Sequence, residues 1–163
     1  MKLPRGLVLP LAAGFAPVLL AFVLFFEGLS LVAYKDTGGV WTICVGHTKG
    51  VRPGDVATRS QCMAYLWDDL AESRAAADRQ VTGPISWLCR VAVVDFAFNL
   101  GEPALARSTL RRKLNAGDVR GGADEFLKWM YVGGRDCRLA ESNCSGIVVR
   151  RQTARELCLA GVP

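Results

Sequence analysis

The 163-residue chain has one histidine, and none of its six cysteines falls in a Cys-x-x-Cys pair. Zinc-finger spacing and thioredoxin-like redox chemistry therefore have no support. There is no glycine-rich phosphate loop and no compact Lys/Arg cluster interleaved with aromatics. Nucleotide chemistry and a nucleic-acid surface lose their usual signatures, and neither a metal nor a cofactor is expected. Internal repeats and low-complexity linkers are missing too. The length fits one domain with a sizeable core, expected to be a monomer.

What the chain does have begins with charge. Twenty Lys and Arg stand against fifteen Asp and Glu, a formal net charge of +5. A positive surface favours anionic lipid or an acidic polymer such as the bacterial wall, and ordinary solvated surface accounts for it equally well. The cysteines are Cys44, Cys62, Cys89, Cys137, Cys144 and Cys158. An even number downstream of an export-like N-terminus predicts disulfides made in an oxidising compartment; the alternative is buried free thiols.

Lys2 and Arg5 precede a stretch, residues 6–26, that carries no charge. About 20 helical residues span a bilayer core, and the positive flank should stay cytoplasmic. A cleavable signal needs small residues after a shorter apolar run. The best candidate, Ala13-Gly14-Phe15-Ala16, contains a Phe and is followed by Pro17. The segment reads as an uncleaved signal anchor. Pro10, Gly14, Pro17 and several alanines weaken its first half, which suits either a permanent anchor or one that leaves the bilayer.

Beyond Glu27 the pattern is α+β, mostly helical with one small sheet in front. Residues 33–54, rich in Gly, Val, Thr and aromatics, predict a hairpin or meander. Thr58 and Gln61 have capping-box spacing, and a helix should run to about Gln80. Residues 85–100 form a strongly apolar run closed by Gly101, the candidate central helix. Shorter helices are expected over 108–115, 118–130 and 147–159. Cys137 and Cys144 share one short polar loop and make the easiest bridge. Cys44 with Cys62 would tie the hairpin to the next helix, and Cys89 with Cys158 the central helix to the last; six cysteines allow 15 pairings.

The chemistry concentrates in Phe26-Glu27-Gly28, Tyr34-Lys35-Asp36 and Val40-Trp41-Thr42. Glu27 ends an extremely apolar helix, where desolvation disfavours a charged carboxyl and keeps a proton available. Asp36 sits in a polar Lys-Asp-Thr-Gly-Gly loop that suits an ionised carboxylate. Two carboxyls in contrasting settings supply an acid and a base. Thr42, entering a strand, could hold a water against Asp36. The bland reading is a helix-end Glu and a turn Asp.

Glu, eight residues, Asp, five residues, Thr resembles the active-site pattern of phage-type lysozymes, glycoside hydrolase family 24. The flanks are similar as well: Ala33-Tyr34-Lys35-Asp36, Gly39-Val40-Trp41-Thr42-Ile43, Gly46-His47-Thr48, Phe96-Ala97-Phe98-Asn99-Leu100-Gly101, Ser108-Thr109-Leu110, and Gly146-Ile147 with Arg150-Arg151 and Glu156. The likeness spans about residues 17–159. It implies a lysozyme-like fold and hydrolysis of the β-1,4 bond between N-acetylmuramic acid and N-acetylglucosamine in peptidoglycan. Glu27 would be the acid, Asp36 would activate water, and Thr42 would position it. The implied inverting outcome needs carboxyls roughly 6.5–9.5 Å apart. Thr48, Phe98 and Thr109 match positions lining the glycan cleft, although Phe98 is equally well explained as core. His47 resembles a structural histidine, with Asp69 as its partner, rather than a catalytic base. Arg150-Arg151 reads as a solvated face, the alternative being a pairing of Arg150 with Glu27 across the cleft.

The resemblance also implies control. The first helix of the enzyme, residues 17–26, would be the second half of the membrane segment, residues 1–27, and one stretch cannot serve both at once. This is similar to signal-arrest-release endolysins, held inactive at the host inner membrane, facing the periplasm, until the segment leaves the lipid and frees them into the periplasm. No cysteine precedes Cys44, so locking of the active site by a membrane-segment cysteine is disfavoured. The rival readings are a lytic transglycosylase, which needs one Glu and no Asp base, and a catalytically dead, membrane-anchored wall-binding protein.

Overall fold

The computed structural model describes residues 1–36 and 38–161. Residues 15–26 carry only apolar side chains, with Pro17 in the first turn, where a missing N–H costs no hydrogen bond. They form helix α1 (Phe15–Phe26), which begins two residues before the expected start, directly after Gly14. That glycine has φ +85°, a conformation L side chains rarely adopt. Val18, Leu19, Phe22 and Val23 make the buried face of α1. Ahead of it, Leu7 and Leu9 are also buried. The backbone N–H of Lys2 donates to Glu156 Oε2 at 3.1 Å, so the N-terminal arm lies against the last helix. At 1.5 Å per residue α1 is about 18 Å long. No helix among the described residues is long and apolar enough to cross a membrane.

Strands β1 (Ser30–Lys35) and β2 (Trp41–Cys44) pair antiparallel, with Tyr34 opposite Thr42 and Lys35 opposite Trp41. Helix α2 (Arg59–Gln80) opens with the capping box: Gln61 N–H donates to Thr58 Oγ1 while Thr58 N–H donates to Gln61 Oε1. Helix α3 (Trp87–Leu100) is capped by Ser86 and closed by Gly101 at φ +82°. It is buried at Cys89 and at every position from Val91 to Ala97, and α1, α2, α4 (Glu102–Arg107) and α7 (Ser145–Leu159) all pack on it. Between the last two come α5 (Thr109–Asn115), α6 (Val119–Glu125) and a second hairpin of β3 (Tyr131–Val132) and β4 (Arg135–Asp136).

The expected helix over 118–130 is therefore shorter. It stops at Glu125 and tightens into a 3-10 turn, Phe126–Lys128. The last helix starts at Ser145 rather than at residue 147. The brief α4 and the β3–β4 hairpin carry too few residues for a periodic signal.

Two hydrophobic clusters result. The larger surrounds α3; the smaller, Ile43, Cys44, Ala57 and Cys62, lies beneath the first hairpin. Helix α2 belongs to both, through Cys62 at one end and Leu66, Leu70 and Ala77 further on. Disulfides join Cys44 to Cys62, Cys89 to Cys158 and Cys137 to Cys144.

Two outcomes follow for the folded protein. Phe22→Ala should lose about 3–5 kcal/mol in denaturant unfolding, whereas Leu24→Ala, on the exposed side of α1, should lose well under 1 kcal/mol. Equal effects would mean that α1 is not part of the core. Removing the Cys89–Cys158 bridge, whose ends lie 69 residues apart, should cost about 4 kcal/mol by the chain-entropy relation. Non-reducing peptide mapping identifies the three linked pairs beforehand.

Candidate active site

Glu27 stands where α1 ends. Its N–H still bonds to Val23 O at 3.0 Å, while its backbone has turned extended, which throws the side chain off the helix axis. The carboxyl reaches a cleft of about 440 Å³. Gly46 and Thr48 of the post-hairpin loop, Asp69 of α2, and Phe98 and Asn99 of α3 line the same cleft.

The surroundings of Glu27 are less apolar than its helix suggested. Arg150 Nη1 donates to Glu27 Oε1 at 2.6 Å. Arg150 is 2 % exposed and also grips Asp95, which is wholly buried on α3. Its Nε donates to both Asp95 oxygens at 3.1 Å, and its Nη2 to Oδ1 at 2.7 Å. Burial works against the Arg150 charge, but Asp95 and then Glu27 more than offset it and push the guanidinium above its usual range. Arg151 is 1 % exposed. It donates to Trp129 O at 3.2 Å and to Asn99 Oδ1. Burial pushes it down to about 10; Asp95 opposes this and the Arg150 charge adds to it.

The expectation of a solvated Arg-Arg face is thus wrong, and the alternative, Arg150 paired with Glu27, is what the structure has. Arg150 and Arg151 share the buried side of α7 with Ala154, Leu157 and Cys158, at helical spacing. The overlooked signal was Asp95, a lone carboxylate inside the apolar run of α3, which calls for a buried cation.

Asp36 closes the hairpin. Its Oδ1 accepts the N–H groups of Gly38 and Val40, each at 2.8 Å. Its backbone pairs with Val40 and Gly39. The carboxylate is thereby fixed by one oxygen. Thr42, 3 % exposed, donates its hydroxyl proton to Val40 O at 3.1 Å. Tyr34, directly across from Thr42, links the carboxyls electrostatically: burial first, then the charges of Glu27 and Asp36, raises its phenol above the usual range.

His47 Nδ1 lies 2.8 Å from Asp69 Oδ2 and its Nε2 lies 3.1 Å from Lys49 O. The ring stacks on Tyr65 at 4.4 Å. Both nitrogens are engaged, and the contact pins the post-hairpin loop to α2. Lys49 reaches the same helix through Glu72. Phe98 is half-buried, packed on the core with one side in the cleft. Thr109 heads α5, where its hydroxyl accepts from Arg112; it does not line the cleft that holds Glu27.

Residues 25–154 match the Phage lysozyme family. The SAR-endolysin of Enterobacteria phage PA-2 is 37 % identical over 136 residues, covering 83 % of this chain and 78 % of that protein. The muramidase domain of SpmX from Asticaccaulis excentricus superposes with a TM-score of 0.77 at 28 % identity, over 89 % of this chain and 97 % of that one. The endolysin from Escherichia coli O157:H7 phage FAHEc1 gives 0.73 at 30 % identity, over 99 % and 96 %. The family match over most of the chain and the relatives' identity over two thirds or more of its length show that the chain belongs to the phage lysozyme family and is a muramidase.

Proposed function

We propose that this muramidase is an endolysin that hydrolyses the β-1,4 bond between N-acetylmuramic acid and N-acetylglucosamine in peptidoglycan, with Glu27 as general acid. The observation carrying this reading is the asymmetric anchoring of two carboxyls around Tyr34. Arg150 fixes Glu27 by Oε1, and Oε2 lies on the Gly46 side of the cleft. A proton on Oε2 would pass to the glycosidic oxygen as the bond to the anomeric carbon breaks. Asp36, held by Oδ1, would accept a proton from water through Oδ2. Thr42 has its own proton committed to Val40 O, so its oxygen can accept the water's second hydrogen. The water's lone pair then faces the anomeric carbon. Thr48 and Phe98 would line the glycan path; His47 and Asp69 would hold the loop that carries Thr48.

Glu27→Gln keeps the hydrogen-bonding shape and removes the transferable proton. It should abolish turbidity loss of outer-membrane-permeabilised cells while leaving near-UV circular dichroism unchanged. Asp36→Asn should be severely impaired in the same assay. Substantial clearing by Glu27→Gln sinks the assignment. Products with a reducing end distinguish hydrolysis from the anhydro-muramic products of a lytic transglycosylase.

The membrane reading belongs to the same proposal. Several relatives bear the name SAR-endolysin. Residues 6–26 carry no charge, yet in the folded protein Leu7, Leu9, Val18, Leu19, Phe22 and Val23 are core. Each large apolar side chain gains roughly 1.5–3 kcal/mol on leaving water for either lipid or core. The two locations are therefore closely balanced, and the precursor would sit in the host inner membrane before release to the periplasm. Collapsing the membrane potential should move full-length, uncleaved protein to the soluble periplasm and start lysis. Ala12, Ala13 and Ala16 are exposed in the folded protein. Converting these three to Leu should hold the protein in the membrane without disturbing the core, while Gly14 stays for its positive φ. If depolarisation leaves the wild type wholly membrane-bound, release fails and the muramidase assignment stands.

A further inference from the structure

We infer that Asp95, outside the cleft, is the positioning residue that lets Glu27 be held by an arginine and still work as an acid; this rests on Glu27 being the acid. The geometry is a chain of three. Arg150 gives Nε and Nη2 to Asp95 and only Nη1 to Glu27. Asp95 is 0 % and Arg150 2 % exposed, so neither charge is screened by water to any extent. An unshared buried guanidinium against a carboxyl holds that carboxyl in its ionised form. Asp95 takes up most of that charge, and its paired contact also fixes the guanidinium plane so that Nη1 points at Glu27.

The other charges around Glu27 do not supply this balance. Arg151 on α7 is positive, and its Nη1 lies 3.9 Å from Asp95 Oδ2. Tyr34 and Asp36 belong to the hairpin and act on the opposite side. Lining the cleft, Lys49 pairs with Glu72, Arg79 with Glu102, and Asp69 with His47. With Glu27 protonated, Asp95, Arg150 and Arg151 leave one positive charge beside it, which would be two without Asp95, the only fully buried anion of the cluster.

The test is the pH profile of hydrolysis. Activity needs Glu27 protonated, so it falls as pH rises past the acid's titration. Replacing Asp95 by Asn leaves positive charge facing Glu27, favours the carboxylate, and should move the alkaline edge of kcat to lower pH by about one unit or more, with the KM for glycan little changed. A purely structural role for Asp95 would lower activity at every pH without moving the edge. Asp95→Asn also leaves an added buried positive charge, so Asp95→Asn with Arg151→Gln restores the wild-type net charge and is measured beside it. An unmoved edge in folded Asp95→Asn, or a shift to higher pH there, overturns the inference; in the double variant, which has the wild-type net charge beside Glu27, the edge should return toward its wild-type position. Glu27→Gln gives an independent readout that needs no change at Asp95: its Arg150 Nε–H should remain a slowly exchanging NMR signal. Rapid exchange there would mean Asp95 does not hold the guanidinium by itself, and the inference falls. Clearing of cells by Glu27→Gln would instead remove the underlying assignment of the acid.

Discussion

The buried guanidinium of Arg150 is the point on which the arrangement turns. It joins the end of α1, the middle of α3 and the face of α7 through one side chain. A buried ion pair is poor evidence for stability, since desolvation consumes most of its Coulombic gain. Its value here is directional. Apolar contacts along α1 would tolerate a small rotation or slide of that helix, but a 2.6 Å bond from Arg150 to Glu27 does not. The core supplies the free energy and the guanidinium supplies the register.

The two clusters share one helix. Because α2 contributes Cys62 to one cluster and Leu66 to the other, they cannot separate without bending it. Contacts at the hairpin end, His47 with Asp69 and Cys44 with Cys62, fasten the smaller cluster to that strut. Asp36 is then carried by a short turn whose own N–H groups hold it. One carboxyl is placed by long-range packing, the other by four residues of local backbone.

That difference explains what could be read from sequence. The capping box at Thr58 depends on near neighbours, so spacing alone conveys it, whereas Asp36 and Thr42 stood out only through the family resemblance. Helix α3 was legible because an apolar run closed by Gly101 marks it; its start at Trp87, two residues later than expected, is set by the Ser86 cap. Arg150 and Arg151 were misread because an Arg pair in isolation signals solvent; only pairing with Asp95, 55 residues away, turns them inward. Helix α4 and the β3–β4 hairpin are too short for periodicity and owe their form to what they pack against. The N-terminal arm was legible only as apolar. Its burial at Leu7 and Leu9 depends on a surface that the rest of the chain must first create.

All six cysteines lie between residues 44 and 158, and none lies in the arm or in α1. Oxidation therefore rivets the first hairpin to α2 and α3 to α7, and closes the loop before α7, while leaving the opening segment unstitched. The opening segment is then held to the rest of the molecule by non-covalent contacts alone, chiefly the packing of α1 on α3. In mechanical terms the molecule is a riveted body with one unriveted part, and Glu27 sits at the end of that part.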